Sequence, residues 1–387
     1  MTLMFLLTLI SCILFAVYGA LIDYYRRAWK AIPIFSPAQR GDGVAMASPR
    51  TTISVLVPAR NEEKNISACL ASLSCQSYPR HLYQVIVIDD HSTDGTWEIL
   101  REFDHPGLRT TWLRLSDEGG GKKFAIGAGV RAASGDLIVS TDADCLFDPD
   151  WLLTLASFYE KTGAKFIAAP VRIGGPHPGS LLSIFQTLDF LTLQGITGAA
   201  VFKRIHSMCN GANLAYEKKA FQEVDGFKGI DAIPSGDDML LMHKIYLKYP
   251  EQVFFLKSRQ AIVSTRAETS WKAFFHQRIR WASKADRYDD RRIFRVLLLV
   301  YIVNALFAVL LVASCWNSGW LWLLLAGLLV KTGVEYPFVR TVAIFFGQQP
   351  LMPYFPVLQP LHIGYTLIAG WLGKFGAYQW KDRKISK

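Results

Sequence analysis

Apolar positions in this chain follow two patterns. In the first they run almost unbroken. Met1 to Ile22 carries no charged residue, and Asp23, Arg26, Arg27 and Lys30 follow at once. Val296 to Val330 is uncharged, with its break at Asn317-Ser318-Gly319, and Thr341 to Gly373 is a third uncharged block. About 20 apolar residues cross a bilayer as a helix, so each block predicts a membrane helix rather than a soluble core helix. In the second pattern, short apolar runs alternate with helical spacing between about Thr51 and Asp290. Ile53–Val57 stops at Pro58, and Ile66, Leu70 and Leu73 then share one helix face. Val85–Ile88 ends in Asp89-Asp90, with Thr96 placed to cap the next helix. Leu137–Ser140 ends at Asp142-Ala143-Asp144. Strands alternating with helices predict an α/β domain with a mostly parallel sheet.

Charge at the flanks orients the blocks. A signal peptide places its positive charge before a short apolar core. Here the charge follows the apolar run, which predicts an uncleaved transmembrane anchor over 1–22. The basic linker, 23–50, with Arg26, Arg27, Lys30, Arg40 and Arg50, belongs in the cytoplasm by the positive-inside rule. The N-terminus is then outside and the α/β domain, 51–290, is cytoplasmic. A C-terminal membrane region, 294–376, holds two spanning helices turned at Asn317–Gly319 and a third segment that spans, lies at the interface or re-enters. Pro353, Pro356 and Pro360 interrupt that segment. Three crossings would leave Lys381, Arg383, Lys384 and Lys387 of the basic tail, 377–387, outside, against the charge rule. Ser183–Val201 has a broad apolar face and reads equally as an interfacial helix or a core helix.

Composition narrows the class. Hydrophobic residues make up 51% and charged residues 19%, which excludes a disordered chain, a collagen and a small disulfide scaffold. The six cysteines form no C-x-x-C pair, so no zinc knuckle or redox motif is expected and a reducing cytoplasm fits. Subtracting 32 acidic from 42 basic residues leaves +10. No basic-aromatic nucleic-acid motif accompanies it, so no nucleic-acid partner is expected. The excess reads as orientation, attraction to anionic membrane lipid and phosphate binding.

Both acidic clusters lie just past strand ends, the ligand crevice of open α/β sheets. Asp142-x-Asp144 can face one hard cation such as Mg2+ or Mn2+, with substrate phosphates completing the shell. Lys122 follows Gly119-Gly120-Gly121, a flexible run beside which a lysine can neutralise a phosphate. Asp237 and Asp238 are adjacent, and neighbouring side chains point to different faces. A dinucleotide-binding turn would need G-x-G-x-x-G after the first strand, where Pro58-Ala59-Arg60-Asn61 stands instead.

The ordered set Pro58-Ala59-Arg60-Asn61-Glu62, Asp89-Asp90-His91-Ser92-Thr93-Asp94-Gly95-Thr96, Gly121-Lys122, Ser140-Thr141-Asp142-Ala143-Asp144, Asn210-Gly211-Ala212-Asn213, Gly236-Asp237-Asp238 and Gln277-Arg278-Ile279-Arg280-Trp281 resembles a membrane-bound family-2 glycosyltransferase with the GT-A fold. It spans roughly Ile53 to Trp281. The resemblance implies an inverting transfer from a UDP-sugar with a divalent metal. It implies nucleotide-sugar contacts from Pro58, Ala59, Arg60, Glu62, Asp89, Asp90, Lys122, Asp142 and Arg280, and metal contacts from Asp142 and Asp144. It implies Asp238 as general base and acceptor contacts from Asp237, Gln277 and Trp281. On a helix, 277, 280 and 281 share one face.

The Q-x-x-R-W motif resembles both processive polysaccharide synthases (cellulose, hyaluronan, chitin, poly-N-acetylglucosamine) and enzymes that glycosylate a lipid such as ceramide. Asn304, Lys331 and His362 are the main polar residues in the membrane blocks, few for a polysaccharide channel in one chain. A lipid or lipid-linked acceptor at the cytoplasmic face of the cell (inner) membrane is therefore expected. A processive synthase, with a homo-oligomer or accessory membrane subunit completing the channel, is the alternative. A catalytically inactive sugar-nucleotide sensor is a further one, against which stands the complete set Asp90, Asp142, Asp144, Asp238 and Arg280.

Overall fold

The computed structural model describes residues 2–37, 49–116, 119–174, 179–231, 236–284, 290–375, 378–380 and 383–385. Arg40, Ser235, Lys381 and Lys387 lie outside them. In chain order the first half holds helix α1 (Thr2–Ala31), strand β1 (Ile53–Ala59), α2 (Ile66–Ser74), β2 (Tyr83–Asp89), α3 (Thr96–Glu102), β3 (Arg109–Arg114), α4 (Lys122–Ala132), β4 (Leu137–Ser140), α5 (Trp151–Thr162), β5 (Phe166–Ala168) and β6 (Val171–Ile173). The second half holds α6 (Leu181–Lys203), β7 (Leu214–Glu217), α7 (Lys218–Glu223), α8 (Asp237–Lys248), β8 (Val253–Phe255), β9 (Val263–Thr265), α9 (Trp271–Ala282), α10 (Arg291–Ser314), α11 (Gly319–Phe346) and α12 (Phe355–Phe375).

These elements form two compact units. The sheet unit comprises Ile32–Gly174 and Ser207–Arg266, and the helical unit comprises Met1–Ala31, Gly175–His206 and Ala267–Lys387. The unit limits cut across the segment 51–290, because α6 and α9 belong with the long apolar helices.

The sheet unit is built on a seven-stranded sheet of order β3-β2-β1-β4-β7-β5-β8. Strands β3, β2, β1 and β4 are parallel, β7 runs antiparallel to both β4 and β5, and β8 is parallel to β5. The mixed, mostly parallel sheet is the expected GT-A-like arrangement. Strands β1, β2 and β4 are apolar along almost their whole length because both faces are covered. The chain leaves β1 toward β2 on one side and returns to β4 on the other. That reversal opens a crevice at the carboxyl ends of β1 and β4.

Close approach at Gly135 sets the register of β4 against β1. A Cβ there would lie 2.6 Å from the Ile53 carbonyl carbon and from the Ser54 nitrogen, both backbone atoms. Gly135→Ala is expected to cost about 3 kcal/mol by overpacking. For a unit of this size that lowers the melting temperature by roughly 6–12 °C, read by thermal unfolding of the detergent-solubilised protein.

Among the described residues of the helical unit, three helices are long and apolar enough to cross a membrane: Met4–Ala31, Arg291–Ser314 and Gly319–Phe346. Their outward faces carry Phe5, Leu311 and Leu329, with Trp316 and Trp322 exposed near the α10–α11 turn, as in an aromatic belt. The first helix runs beyond the expected 22 residues, so Arg26 and Arg27 sit on its last turns, both paired with Asp23. Helix α12, the segment interrupted by prolines, is not among the three. Helix α6, read from sequence as interfacial or core, is largely buried and packs with α1 and α11. Its Gly195 permits this: a Cβ there would come 2.5 Å from Val342 and 2.7 Å from Phe338.

Candidate active site

Three strand ends in the sheet unit bring the predicted residues together. Pro58 and Ala59 close β1, and the Ala59 carbonyl accepts the Asp90 amide at 2.8 Å. Arg60 donates to the Asp90 carbonyl at 2.9 Å. Asp89 is fully buried at the end of β2, where its carboxylate accepts the Ser92 amide and lies 3.3 Å from Arg114. Asp90 accepts the Gly121 amide at 3.0 Å and contacts the His91 ring at 3.0 Å. The Glu62 amide donates to the Thr96 hydroxyl. Asn61 and His91, each two residues past a strand, hold left-handed backbone at φ 52° and 59°. Non-glycine residues in that region cost of order 1 kcal/mol or more and persist where surrounding structure over-determines them. The hydrogen bonds from the Asn61 amide to Ser92 and from the Thr93 amide to Asn61 do so here.

The third strand end carries the acidic pair. Asp142 accepts from Lys122 at 2.5 Å, and Asp144 accepts from the Thr265 hydroxyl at 2.8 Å. Burial, then the charge of Asp142, pushes the Asp144 carboxyl above its ordinary range. A buried carboxylate whose proton affinity is raised by a neighbouring carboxylate belongs to a donor set that a hard divalent cation would relieve. Among the described residues no cluster of three potential ligands forms. Asp142 and Asp144 supply carboxylate oxygens, the donor type that Mg2+ or Mn2+ takes, as two of the several ligands such an ion needs.

Two glycines aim the remaining groups. Gly121 at φ 99° starts α4, so Lys122 is its first residue and turns toward Asp142. Burial works against the Lys122 charge, but Asp142 and then Asp237 overcome it and hold the ammonium protonated well above its usual range. The next residue, Lys123, turns away and donates to the Ile230 carbonyl. Gly236 at φ 84° starts α8, and Asp237 and Asp238 follow at its N-terminus. The two carboxylates diverge as adjacent residues should. Asp237 is buried and lies 3.9 Å from Lys122. Asp238 is half-buried and accepts amide hydrogens from Gly211 at 2.9 Å and Met239 at 2.8 Å. Gly211 is wedged between them: a Cβ would come 2.8 Å from Lys122 Nζ and 3.5 Å from Asp238 Oδ2.

The remaining predicted residues lie on α9 in the helical unit. Gln277 donates to Glu268 at 2.9 Å and accepts from Arg278 at 2.5 Å. Trp281 lies under the Arg278 guanidinium, whose carbon is 4.2 Å from the ring centre. Arg280 is half-buried, in the last turn of the helix.

Residues 54–225 match the family model described as Glycosyl transferase family 2. The chain carries a glycosyl transferase family 2 domain. It is 33% identical over 182 residues to the glycosyltransferase AglE of Haloferax volcanii, covering 47% of this chain and 58% of that protein. It is 28% identical over 266 residues to the beta-monoglucosyldiacylglycerol synthase of Nostoc sp., covering 64% of this chain and 54% of that one. The chain thus spans a little over half the length of these relatives. Among solved structures, the mannosyltransferase PcManGT from Pyrobaculum calidifontis, in complex with GDP-Man and Mn2+, shares the fold at a TM-score of 0.59 and 22% identity, over 92% of this chain and 99% of that one.

The matched family 2 segment holds both acidic strand ends and Lys122, and stops short of Asp237, Asp238 and α9. Sequence reading missed three contributors. The Gly211 amide belongs to the Asn210-Gly211-Ala212-Asn213 motif, to which the sequence alone gives no role. Thr265 comes from a short strand with no motif around it. Asn213 is fully buried and bonds Pro170, Ala261 and Trp151, bracing the loop that carries Gly211.

Proposed function

We propose that this chain is a membrane-integral inverting glycosyltransferase that moves a sugar from a nucleotide-sugar, with UDP as the expected carrier, to a lipid or lipid-linked acceptor. The observation that carries the reading is the convergence of Lys122, Asp142, Asp144, Asp237 and Asp238 at the carboxyl edge of one family 2 sheet, with Asp238 held by the Gly211 amide.

In this reading Arg60, Glu62, Asp89 and Asp90, with the end of β1 at Pro58 and Ala59, hold the nucleoside, a carboxylate accepting from base N–H and ribose hydroxyls. Lys122 exchanges Asp142 for the diphosphate. A divalent cation at Asp142 and Asp144 would stabilise the charge that develops on the leaving diphosphate. The acceptor oxygen forms its bond to the anomeric carbon from the face opposite the phosphate. The sugar–phosphate bond breaks with its electron pair going to the diphosphate, and Asp238 takes the hydroxyl proton. Asp237 stays paired with Lys122 and shapes the acceptor side. Arg280 is assigned to the diphosphate, and Gln277 and Trp281 to the acceptor.

A lipid acceptor is supported by what the polar membrane residues do. Lys331, Glu335, Gln359 and Tyr18 bond to one another. We read α12 as a non-crossing segment, so that two spans after the family 2 domain return the basic tail to the side of that domain, as the positive-inside rule prefers. The N-terminus is then outside, with the domain at the cytoplasmic face.

The test is a panel of labelled UDP-sugars and GDP-mannose given to membranes containing the protein with Mn2+ or Mg2+, followed by separation of lipid-extractable from polymeric product. Lipid-extractable label from a UDP-sugar is expected. Polymeric label would replace the acceptor assignment with a processive synthase. Label from GDP-mannose alone would overturn the uracil assignment, and no transfer from any donor would leave the sensor reading.

A further inference from the structure

The helical unit contains a buried ion pair that no part of the proposed chemistry uses. Asp189 on α6 and Arg278 on α9 are each almost entirely buried. Arg278 donates from Nε to Asp189 at 2.9 Å, with its Nη2 2.7 Å from the same oxygen. The other oxygen of Asp189 accepts from the Tyr365 hydroxyl of α12 at 2.5 Å, and His362 lies 3.9 Å away. Three helices thus converge on one carboxylate.

The guanidinium held in this way is planar, and aromatic rings flank it. Its carbon is 4.6 Å from the Phe274 ring centre and 4.2 Å from that of Trp281. Phe274 is fully buried and packs edge-on against Tyr365, whose hydroxyl is on Asp189. Arg278 also donates to Gln277 at 2.5 Å. The carboxylate fixes the guanidinium plane, the plane fixes the Trp281 ring by stacking, and the same group orients the Gln277 amide. A lysine would keep the charge and lose the plane.

We propose that Asp189 is a positioning residue: through Arg278 it sets the orientation of Trp281 and Gln277, and so tunes use of the acceptor rather than the donor. The inference rests on the acceptor role given to those two residues above.

The experiment uses the full chain in nanodiscs and compares the native protein with Asp189→Asn, Asp189→Glu, Tyr365→Phe and Glu335→Gln. Glu335→Gln disturbs a buried polar group of the same unit that does not touch Arg278. For Asp189→Asn the acceptor KM is expected to rise about tenfold while the donor KM stays within twofold, and Asp189→Glu recovers part of the loss. Tyr365→Phe, which keeps the ion pair, moves the acceptor KM the same way by about threefold and serves if Asp189→Asn does not fold. Glu335→Gln leaves the acceptor KM unchanged. A second readout needs no turnover. In protein labelled with 5-fluorotryptophan, the Trp281 resonance, assigned with Trp281→Phe, shifts in Asp189→Asn and not in Glu335→Gln. An unmoved Trp281 resonance, or equal changes in donor and acceptor KM, overturns the proposal. A native protein that transfers no sugar sinks the functional reading instead, while the fluorine resonance still decides whether Asp189 sets the ring.

Discussion

Asp238→Asn is expected to reduce sugar transfer by about 10²- to 10⁴-fold, the range spanned by a lost general base. Asparagine matches the carboxylate in shape and cannot take a proton. The substitution also alters one of two amide contacts, because the oxygens that now face Gly211 and Met239 include one replaced by an NH2 group. The loss should therefore fall on kcat, with donor affinity, measured by calorimetry with the nucleoside diphosphate, nearly unchanged. Asp237→Asn should behave differently. Its carboxylate faces Lys122 at 3.9 Å, so its loss leaves the ammonium less well held and raises the donor KM. If Asp238→Asn keeps more than a tenth of native kcat while Asp237→Asn loses it, the two roles are reversed.

Chelation should abolish transfer, and Mn2+ or Mg2+ should restore it. Asp144→Asn should then raise the metal concentration needed for half-activity by roughly 10- to 100-fold, as for changes that weaken a ligand shell. Asparagine can still accept the Thr265 hydroxyl that Asp144 accepts at 2.8 Å, so the surrounding fold should hold. Metal titration of the variant against native, with binding of Mn2+ followed by its paramagnetic signal, separates lost affinity from lost turnover. Activity that survives exhaustive chelation would remove the metal from the mechanism and leave Lys122 as the main counter-charge to the diphosphate.

The sheet unit was legible because its signals are local. A fully apolar run stops where the strand ends at the polar crevice along the sheet edge, and Asp89-Asp90 and Asp142-x-Asp144 mark two of those stops. The antiparallel entry of β7 between β4 and β5 was not legible, since Leu214–Glu217 is too short to announce its direction. Nor was Thr265, which reaches Asp144 across 121 positions of sequence. In α9 the spacing singles out Gln277, Arg280 and Trp281, whereas the side chain that touches two of them is Arg278. Its partner Asp189 belongs to no motif, and only the fold shows what it faces. Helix α6 itself was ambiguous for the same reason: an all-round apolar helix reads alike whether it meets lipid or protein.

On the membrane-integral reading, the polar set of α11 has a consequence for how the chain would enter a bilayer. Lys331 is completely buried and pairs with Glu335 one turn on, while Gln359 of α12 bridges both and Tyr18 of α1 meets the glutamate. Alone in lipid, a helix carrying both charges would bear about 2.5–3.5 kcal/mol for each of them near its centre. The pairing within α11 offsets part of that cost as soon as the helix forms, and Tyr18, already in place from the start of synthesis, offsets more. Gln359 is made last, so Lys331 gains its remaining partner only when α12 has been synthesised and docked. On the membrane-integral reading proposed above, insertion of α11 is expected to be cooperative rather than independent. The proline-rich segment before α12 holds a helix whose arrival completes the burial of a charge laid down some thirty residues earlier.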